Sequence, residues 1–430
     1  MDLVKGVKTK ENFLTGERIE LPYTKKAAPV RGFVKLELFD DLTGKKIEEI
    51  TSENFISKYV YQYWDQLMRK SFIYHEGYLQ GALTGFSTLL PFPFQMFVLL
   101  DYNKPEDPQN ERIALGKLIG YATRSTYSGS DTKRGSINLA ESFANAEQLH
   151  YVFDFPTHAA NGTFQSLAWV VSSAVVDFIT WPYFNVKSFS GSSELKARAL
   201  TVTDTEIYIK EAFASTVRVY DKANFQGGST QPKRQFNLAY DSIFGFVYAM
   251  GFLWSVSYND GKIRKVDPQN GATLATITPN SGTPSRLTGI TFDGVDFWVT
   301  GDTAVYRVDQ NGTVKQGFQQ VGTEIMDIAY MPEFDAFIVA DGYNSALQVR
   351  NRNMELLCYF GSYNSPNDDH CISYNNGEIW QSNYNDLLWK QTNAGLAART
   401  LLPSAVTKTN MNTMKVTYDF ILPSYNPVYL

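Results

Sequence analysis

The chain has 430 residues, a formal net charge of −5 and only 19% charged residues, with no concentrated basic face, which excludes a nucleic-acid binder. Hydrophobic residues reach 43% and aromatics 14%, with 26 Tyr and 29 Phe; this supports large cores and leans towards an all-β protein. No run of about 18 apolar residues occurs, so no membrane-spanning helix is expected. Two cysteines, Cys358 and Cys371, make neither a disulfide framework nor a zinc site, and their spacing leaves open whether they pair.

Residues 1–30 are polar, with Lys5, Lys8, Lys10, Lys25 and Lys26, and read as an anchor arm that orders on docking. No apolar signal segment opens the chain, so it is expected to be made and kept soluble in a cytoplasm. From Phe33 to Phe39 apolar and polar residues alternate, Asp41-Leu42-Thr43-Gly44 turns, and Lys46 to Ile50 returns as a hairpin. Thr51 or Ser52 then caps an expected helix, with Phe55, Tyr59, Tyr63, Leu67 and Met68 on one face. Strands are expected at 96–102, 116–123, 149–155 and 163–172, and a Ser-rich link at 188–193 leads into the second half.

There the chain repeats. Phe252-Leu253-Trp254-Ser255-Val256, Asn259-Asp260-Gly261 and Lys262 to Asp267 have a counterpart in Phe297-Trp298-Val299-Thr300 and Ala304 to Asp309. Further copies run through Ile207-Tyr208-Ile209, Phe337-Ile338-Val339 and Ile379-Trp380-Gln381, each preceded by a short apolar run. Strand, turn, strand, turn, strand, turn, strand over about forty residues is the pattern of a propeller blade. Five copies predict a five-bladed β-propeller over 196–402, with a strand from 181–200 helping to close the ring. The alternating run Met414 to Phe420 has no following partner, so it is expected to return to the first half. The fold class is therefore all-β, mainly: a five-bladed propeller inserted in a β-sandwich-like base (31–195 plus 403–430) with one helix, behind the arm 1–30.

The chemistry is sparse. His75, His150, His158 and His370 stand in no ligand spacing, so no metal and no cofactor is expected. Asp221, Asp267 and Asp309 end third strands and are expected to bond local backbone. Asp241, Asp293, Asp327 and Asp369 lie near inner strands, where some propellers carry paired catalytic carboxylates; here they read as turn or channel-lining groups, and the chain as no enzyme. Tyr258, Asn259, Tyr343, Asn344, Tyr363, Asn364, Asn383 and Tyr384 fall in or near inter-strand loops, where aromatic plus amide suits carbohydrate or protein recognition.

The segments Gly116-Lys117-Leu118-Ile119-Gly120-Tyr121-Ala122, Tyr127 to Asn138, Phe153 to Ser166 and Val406 to Tyr418 resemble tail-fibre and related virion proteins of phages that infect Gram-positive bacteria. The resemblance covers about 30–180 and 403–422. It implies a virion component of tail or fibre, a homo-oligomer docked to other virion proteins, presenting its propeller to host-surface carbohydrate, with neither nucleic acid nor membrane insertion. It transfers no binding residue. Two alternatives remain open at this point: a purely structural neck, collar or baseplate element, and a polysaccharide-cleaving propeller.

Overall fold

A computed structural model gives the architecture. It describes residues 6–11, 18–23, 31–58, 96–145, 148–171, 179–181, 187–189, 197–212, 214–240, 243–280, 285–342, 347–360, 371–382, 388–392 and 395–421. Every named element is a strand.

In the arm, β1 (Gly6–Glu11) pairs antiparallel with β2 (Arg18–Tyr23). The base then begins with β3 (Arg31–Asp40) and β4 (Lys46–Ile56). Thr51 to Ile56, where the sequence predicts the start of a helix, are instead the end of β4. Their backbone groups are held in register by β3, with Val34 opposite Ser52 and Gly32 opposite Asn54. Tertiary pairing here overrides local propensity. Tyr59, Tyr63, Leu67 and Met68 lie outside the described residues. The base continues with β5 (Met96–Leu100), β6 (Leu118–Thr123), β7 (Ser136–Ile137), β8 (Phe143–Ala144), β9 (Gln148–Phe155) and β10 (Gly162–Val170).

Two short strands, β11 (Ile179–Trp181) and β12 (Lys187–Phe189), precede the propeller. Blade 1 is β13 (Ala197–Val202), β14 (Glu206–Glu211), β15 (Thr216–Asp221) and β16 (Arg234–Asn237). Blade 2 is β17 (Ile243–Ala249), β18 (Phe252–Ser257), β19 (Ile263–Val266) and β20 (Thr273–Ile277). Blade 3 is β21 (Gly289–Phe292), β22 (Phe297–Gly301), β23 (Ala304–Val308) and β24 (Val314–Phe318). Blade 4 is β25 (Ile325–Met331), β26 (Ala336–Asp341), β27 (Leu347–Arg350) and β28 (Leu356–Phe360), to which β11 adds a fifth strand parallel to β28. Blade 5 has β29 (Cys371–Asn375), β30 (Glu378–Ser382) and β31 (Leu388–Gln391) in sequence, and takes its outer strand from β12. The ring is thus closed by a strand that precedes blade 1, as the reading of 181–200 anticipates. Phe189 seals the closure: its ring stacks on Trp380 at 5.6 Å and 6°.

The chain ends with β32 (Leu396–Lys408) and β33 (Asn412–Ile421). β32 pairs with β10 and β4, and β33 lies between β3 and β9. β32 therefore begins inside the range that the repeat assigns to the propeller.

These strands complete one ten-stranded sheet in the order β6-β5-β10-β32-β4-β3-β33-β9-β7, with β8 on β9. Its ends meet, because the Tyr121 N–H of β6 bonds the Lys133 carbonyl at 2.9 Å and the Gly135 N–H bonds the Tyr121 carbonyl at 2.8 Å, just before β7. The sandwich-like base of the sequence reading takes the form of this near-barrel. Alternation along each strand fills the interior: Val34, Leu36 and Leu38 point inwards with Phe153, Phe155, Val416 and Tyr418. Trp169 sits at the centre, wholly buried, with ring centroids of Phe97, Phe153 and Tyr418 5.6–5.7 Å away. Burying one such ring contributes roughly 4–6 kcal/mol at about 25 cal/mol per Å². The other side of β5, β10 and β32 (Val98, Leu100, Ala168, Leu396) shares a single apolar cluster with blade 4 (Ile338, Val349, Phe360) and Ile379 of blade 5. Base and propeller are welded through that core.

One ion pair stands beside the weld. Arg399 of β32 is wholly buried and grips Glu111 with Nε at 2.5 Å and Nη2 at 2.9 Å, while donating to Ser166 Oγ and the Pro105 carbonyl. A carboxylate partner, hydrogen-bonded through Nη2, and two further acceptors offset the burial of this guanidinium.

Candidate functional site

The site is built at the axis of the propeller. The first strands of all blades line the central channel, and their contacts differ from blade to blade. Thr201 of blade 1 accepts the Tyr248 N–H of blade 2 at 3.2 Å. Thr291 of blade 3 accepts the Tyr330 N–H of blade 4 at 3.0 Å. Ser373 of blade 5 accepts the Val202 N–H of blade 1 at 2.9 Å. Between blades 2 and 3 the backbones touch directly: a Cβ on Gly245 would stand 2.7 Å from the Gly289 Cα. Asp327 completes the ring. It is fully buried and accepts N–H groups from Ile328 at 2.8 Å and Ile372 at 2.9 Å, and a further one from Ile290. Burial pushes its carboxyl well above the usual carboxylate range, against the pull of those donors.

Above the Thr201–Thr291–Ser373 layer the channel opens into a cavity of about 330 Å³. Its rim carries Tyr248, Tyr330 and Tyr374, together with Thr203, Asp204 and Asn375. The three tyrosines hold the same place in the repeat, at the end of the first strand in blades 2, 4 and 5. Their side chains are positioned by polar partners outside the cavity. The Tyr330 hydroxyl donates to Asp335 at 2.8 Å, and Arg352 spans Asp335 at 2.7 Å and Asp293 at 2.6 Å. Burial would raise the pKa of Asp293, but N–H donors from Asp296, the Trp298 indole and Arg352 outweigh it and bring it down to about 2. The Tyr374 hydroxyl donates to Glu333. Burial first, then the Glu333 charge, pushes that hydroxyl well above the ordinary range. Tyr248 is 37% exposed and stacks on Tyr208 at 5.8 Å. Tyr208 is in turn fixed by Glu206, which Arg234 holds bidentately at 2.7 and 2.8 Å.

The polar part of the rim is also prearranged. Asp204 accepts from the side-chain amides of Asn375 at 3.1 Å and Asn376 at 2.7 Å. Lys222 donates to the side-chain amide oxygen of Asn375 at 2.5 Å and pairs with Glu378 at 3.1 Å. Arg112 of the base donates to the Gly377 carbonyl at 2.5 Å, so the turn that bears Asn375 and Asn376 is tied to the base. Aromatic faces beside fixed amide and carboxylate groups make a concave surface suited to ring-shaped polar ligands.

The residues singled out in the sequence lie elsewhere. Tyr258 and Asn259 follow β18 at the opposite end of the channel, since Ser257 pairs with Ile243 while Phe252 pairs with Ala249. Tyr258 stacks on Phe244 at 4.7 Å, with Arg286 5.2 Å from its ring, and Asn259 is in an exposed turn. Tyr343, Asn344, Tyr363, Asn364, Asn383 and Tyr384 lie outside the described residues, as do Asp241 and Asp369. Asp293 and Asp327 are brought to the mouth and the channel but not to each other. Asp221, Asp267 and Asp309 accept N–H groups of Asn224, Gln269 and Asn311 at 3.1, 2.8 and 2.9 Å, as turn formers. Cys358 and Cys371 are buried, on neighbouring blades. Aligning the copies on Tyr248, Tyr330 and Tyr374 is the signal by which the sequence could have shown the mouth.

No family model and no curated protein matches the chain. Among solved structures, it is similar to Myxococcus xanthus glutaminyl cyclase, at 12% identity and a TM-score of 0.40, over 51% of this chain and 99% of that one. It is also similar to a streptogramin B lyase, at 14% identity and a TM-score of 0.31, over 54% of this chain and 97% of that one. Both bear enzyme names, and the expectation that this chain is no enzyme is corrected accordingly and withdrawn. At these scores the likeness assigns it neither an activity nor a site residue.

Proposed function

We propose that the protein is an attachment protein of the tail-fibre or adhesin type, whose base docks to a virion and whose propeller binds a host-surface saccharide at the channel mouth. The observation that carries this reading is the convergence of Tyr248, Tyr330 and Tyr374 with Asp204 and Asn375 on one open cavity. Tyrosine faces stack on sugar rings, and the carboxylate and amides take hydroxyl groups. The virion context rests on the resemblance of segments 116–122, 127–138, 153–166 and 406–418. Several copies on one particle convert weak single-site contacts into avidity.

A second reading is cleavage of a polysaccharide at the same mouth. It rests on Tyr374 at the rim, whose hydroxyl donates to the Glu333 carboxylate outside the cavity. Calorimetry of the purified protein with host cell-wall polysaccharide, followed by chromatography of the glycan, separates the readings. Saturable binding with intact glycan supports attachment, and new chain ends support cleavage. Absence of binding to host envelopes overturns both, and leaves a structural virion part.

A further inference from the structure

The propeller's outer edges are protected unequally. A sheet edge presents unpaired N–H and C=O groups, and proteins usually guard it with charge, shortness or a covering segment. Blade 4 is covered by β11, and blade 5 ends on the three-residue β12, which carries Lys187. On blade 1, β16 has only four residues and bears Arg234, paired with Glu206. On blade 3, β24 bears Lys315, paired with Asp296 at 2.9 Å.

Blade 2 has none of these guards. Its outer strand, Thr273-Leu274-Ala275-Thr276-Ile277, is exposed at its first four positions, with Leu274 51% exposed. It pairs only with β19 among the described residues. No charged residue occurs from 268 to 285. Thr, Leu and Ile suit a pleated strand, and no proline interrupts it.

We propose that β20 is the surface through which two copies of this chain associate, pairing antiparallel about a two-fold axis at Ala275. In that register Ala275 faces Ala275 of the partner subunit, Leu274 faces Thr276 of the partner subunit, and Thr273 faces Ile277 of the partner subunit. Each cross-strand pair joins uncharged residues, so the self-contact meets no like-charge opposition on a chain of net charge −5. Backbone bonds supply the affinity, as in other strand additions. A contact of five residues is small, so the association is weak and depends on protein concentration. This inference is independent of the channel mouth.

Sedimentation velocity of the full chain over about 1–100 µM tests it. The wild type is expected to pass from monomer to dimer. Ala275→Lys and Ala275→Glu, each placing like charges face to face at an exposed position, are expected to stay monomeric, and their equimolar mixture to dimerise again. Hydrogen exchange at 273–277 is expected to slow as wild-type concentration rises. A wild type that stays monomeric, variants that dimerise undiminished, or a mixture that fails to recover overturns the proposal. Unchanged thermal transitions in both variants show that the fold is kept.

Discussion

Asp327 on blade 4 accepts the backbone N–H of Ile372 on blade 5 at 2.9 Å, so a single carboxylate joins two blades at the axis. Its other oxygen takes the Ile328 N–H. Hydroxyls do the same between blades 1 and 2, 3 and 4, and 5 and 1. The channel wall is held by side chains capping the neighbour's backbone rather than by a continuous apolar plug.

Asp327→Ala strands these buried donors. An unsatisfied buried N–H costs about 1–3 kcal/mol, so the variant is expected to lose at least about 3 kcal/mol. Asp327→Asn, which keeps one acceptor oxygen, loses less. Urea unfolding of the three proteins checks the order, and equal stability of Ala and wild type refutes it.

Asp293 carries a pH dependence of defined sign. Its pKa is lowered from 3.8 to about 2 in the fold. Its contribution is therefore fully present above about pH 4 and is lost as pH falls from about 4 to 2. The size is on the order of 2 kcal/mol. Asp293→Asn is expected to flatten that part of the curve of stability against pH, which chemical denaturation at stepped pH measures.

Phe189 is 3% exposed and stacks on Trp380 at the ring closure. Phe189→Ala is expected to cost about 3–5 kcal/mol. Hydrogen exchange locates the loss: amides of β31, the partner of β12, are expected to lose protection before those of blade 3. Uniform loss across all blades contradicts a local opening at the closure.

Tyr248 is the most exposed of the rim tyrosines. Tyr248→Ala is expected to weaken saccharide binding about tenfold, equivalent to about 1.4 kcal/mol, without lowering the melting temperature. Tyr258→Ala, at the opposite end of the channel, is expected to leave binding unchanged. Calorimetry on both variants assigns the face.

The blades were legible because their signal is local: a fixed period, alternating strands, and Gly at turns such as Gly271, whose φ of 81° is a left-handed conformation. β33 was legible as a strand needing a partner. The helix expected from Thr51 was not there because Phe55 satisfies two periods at once: it lies on an apolar face at helical spacing, and it is the buried residue of an alternating strand end. Only the pairing with β3 up to Asn54 and with β32 at Phe55 and Ile56, contacts made in space, selects between them. Tyr258 and Asn259, chosen from aromatic and amide content, lie at one end of the channel, whereas the mouth at the other is lined by strand-end residues. Composition marks loops; it does not say which residues from five distant copies meet at one axis.

Because β12 waits for β31, and β3, β9 and β10 wait for β33 and β32, neither half of the molecule can finish early. On the ribosome, blade 5 has its outermost strand long before the three inner ones emerge. The barrel lacks its middle until β32 and β33 are made. A product truncated before β31 thus leaves both halves with open seams at once.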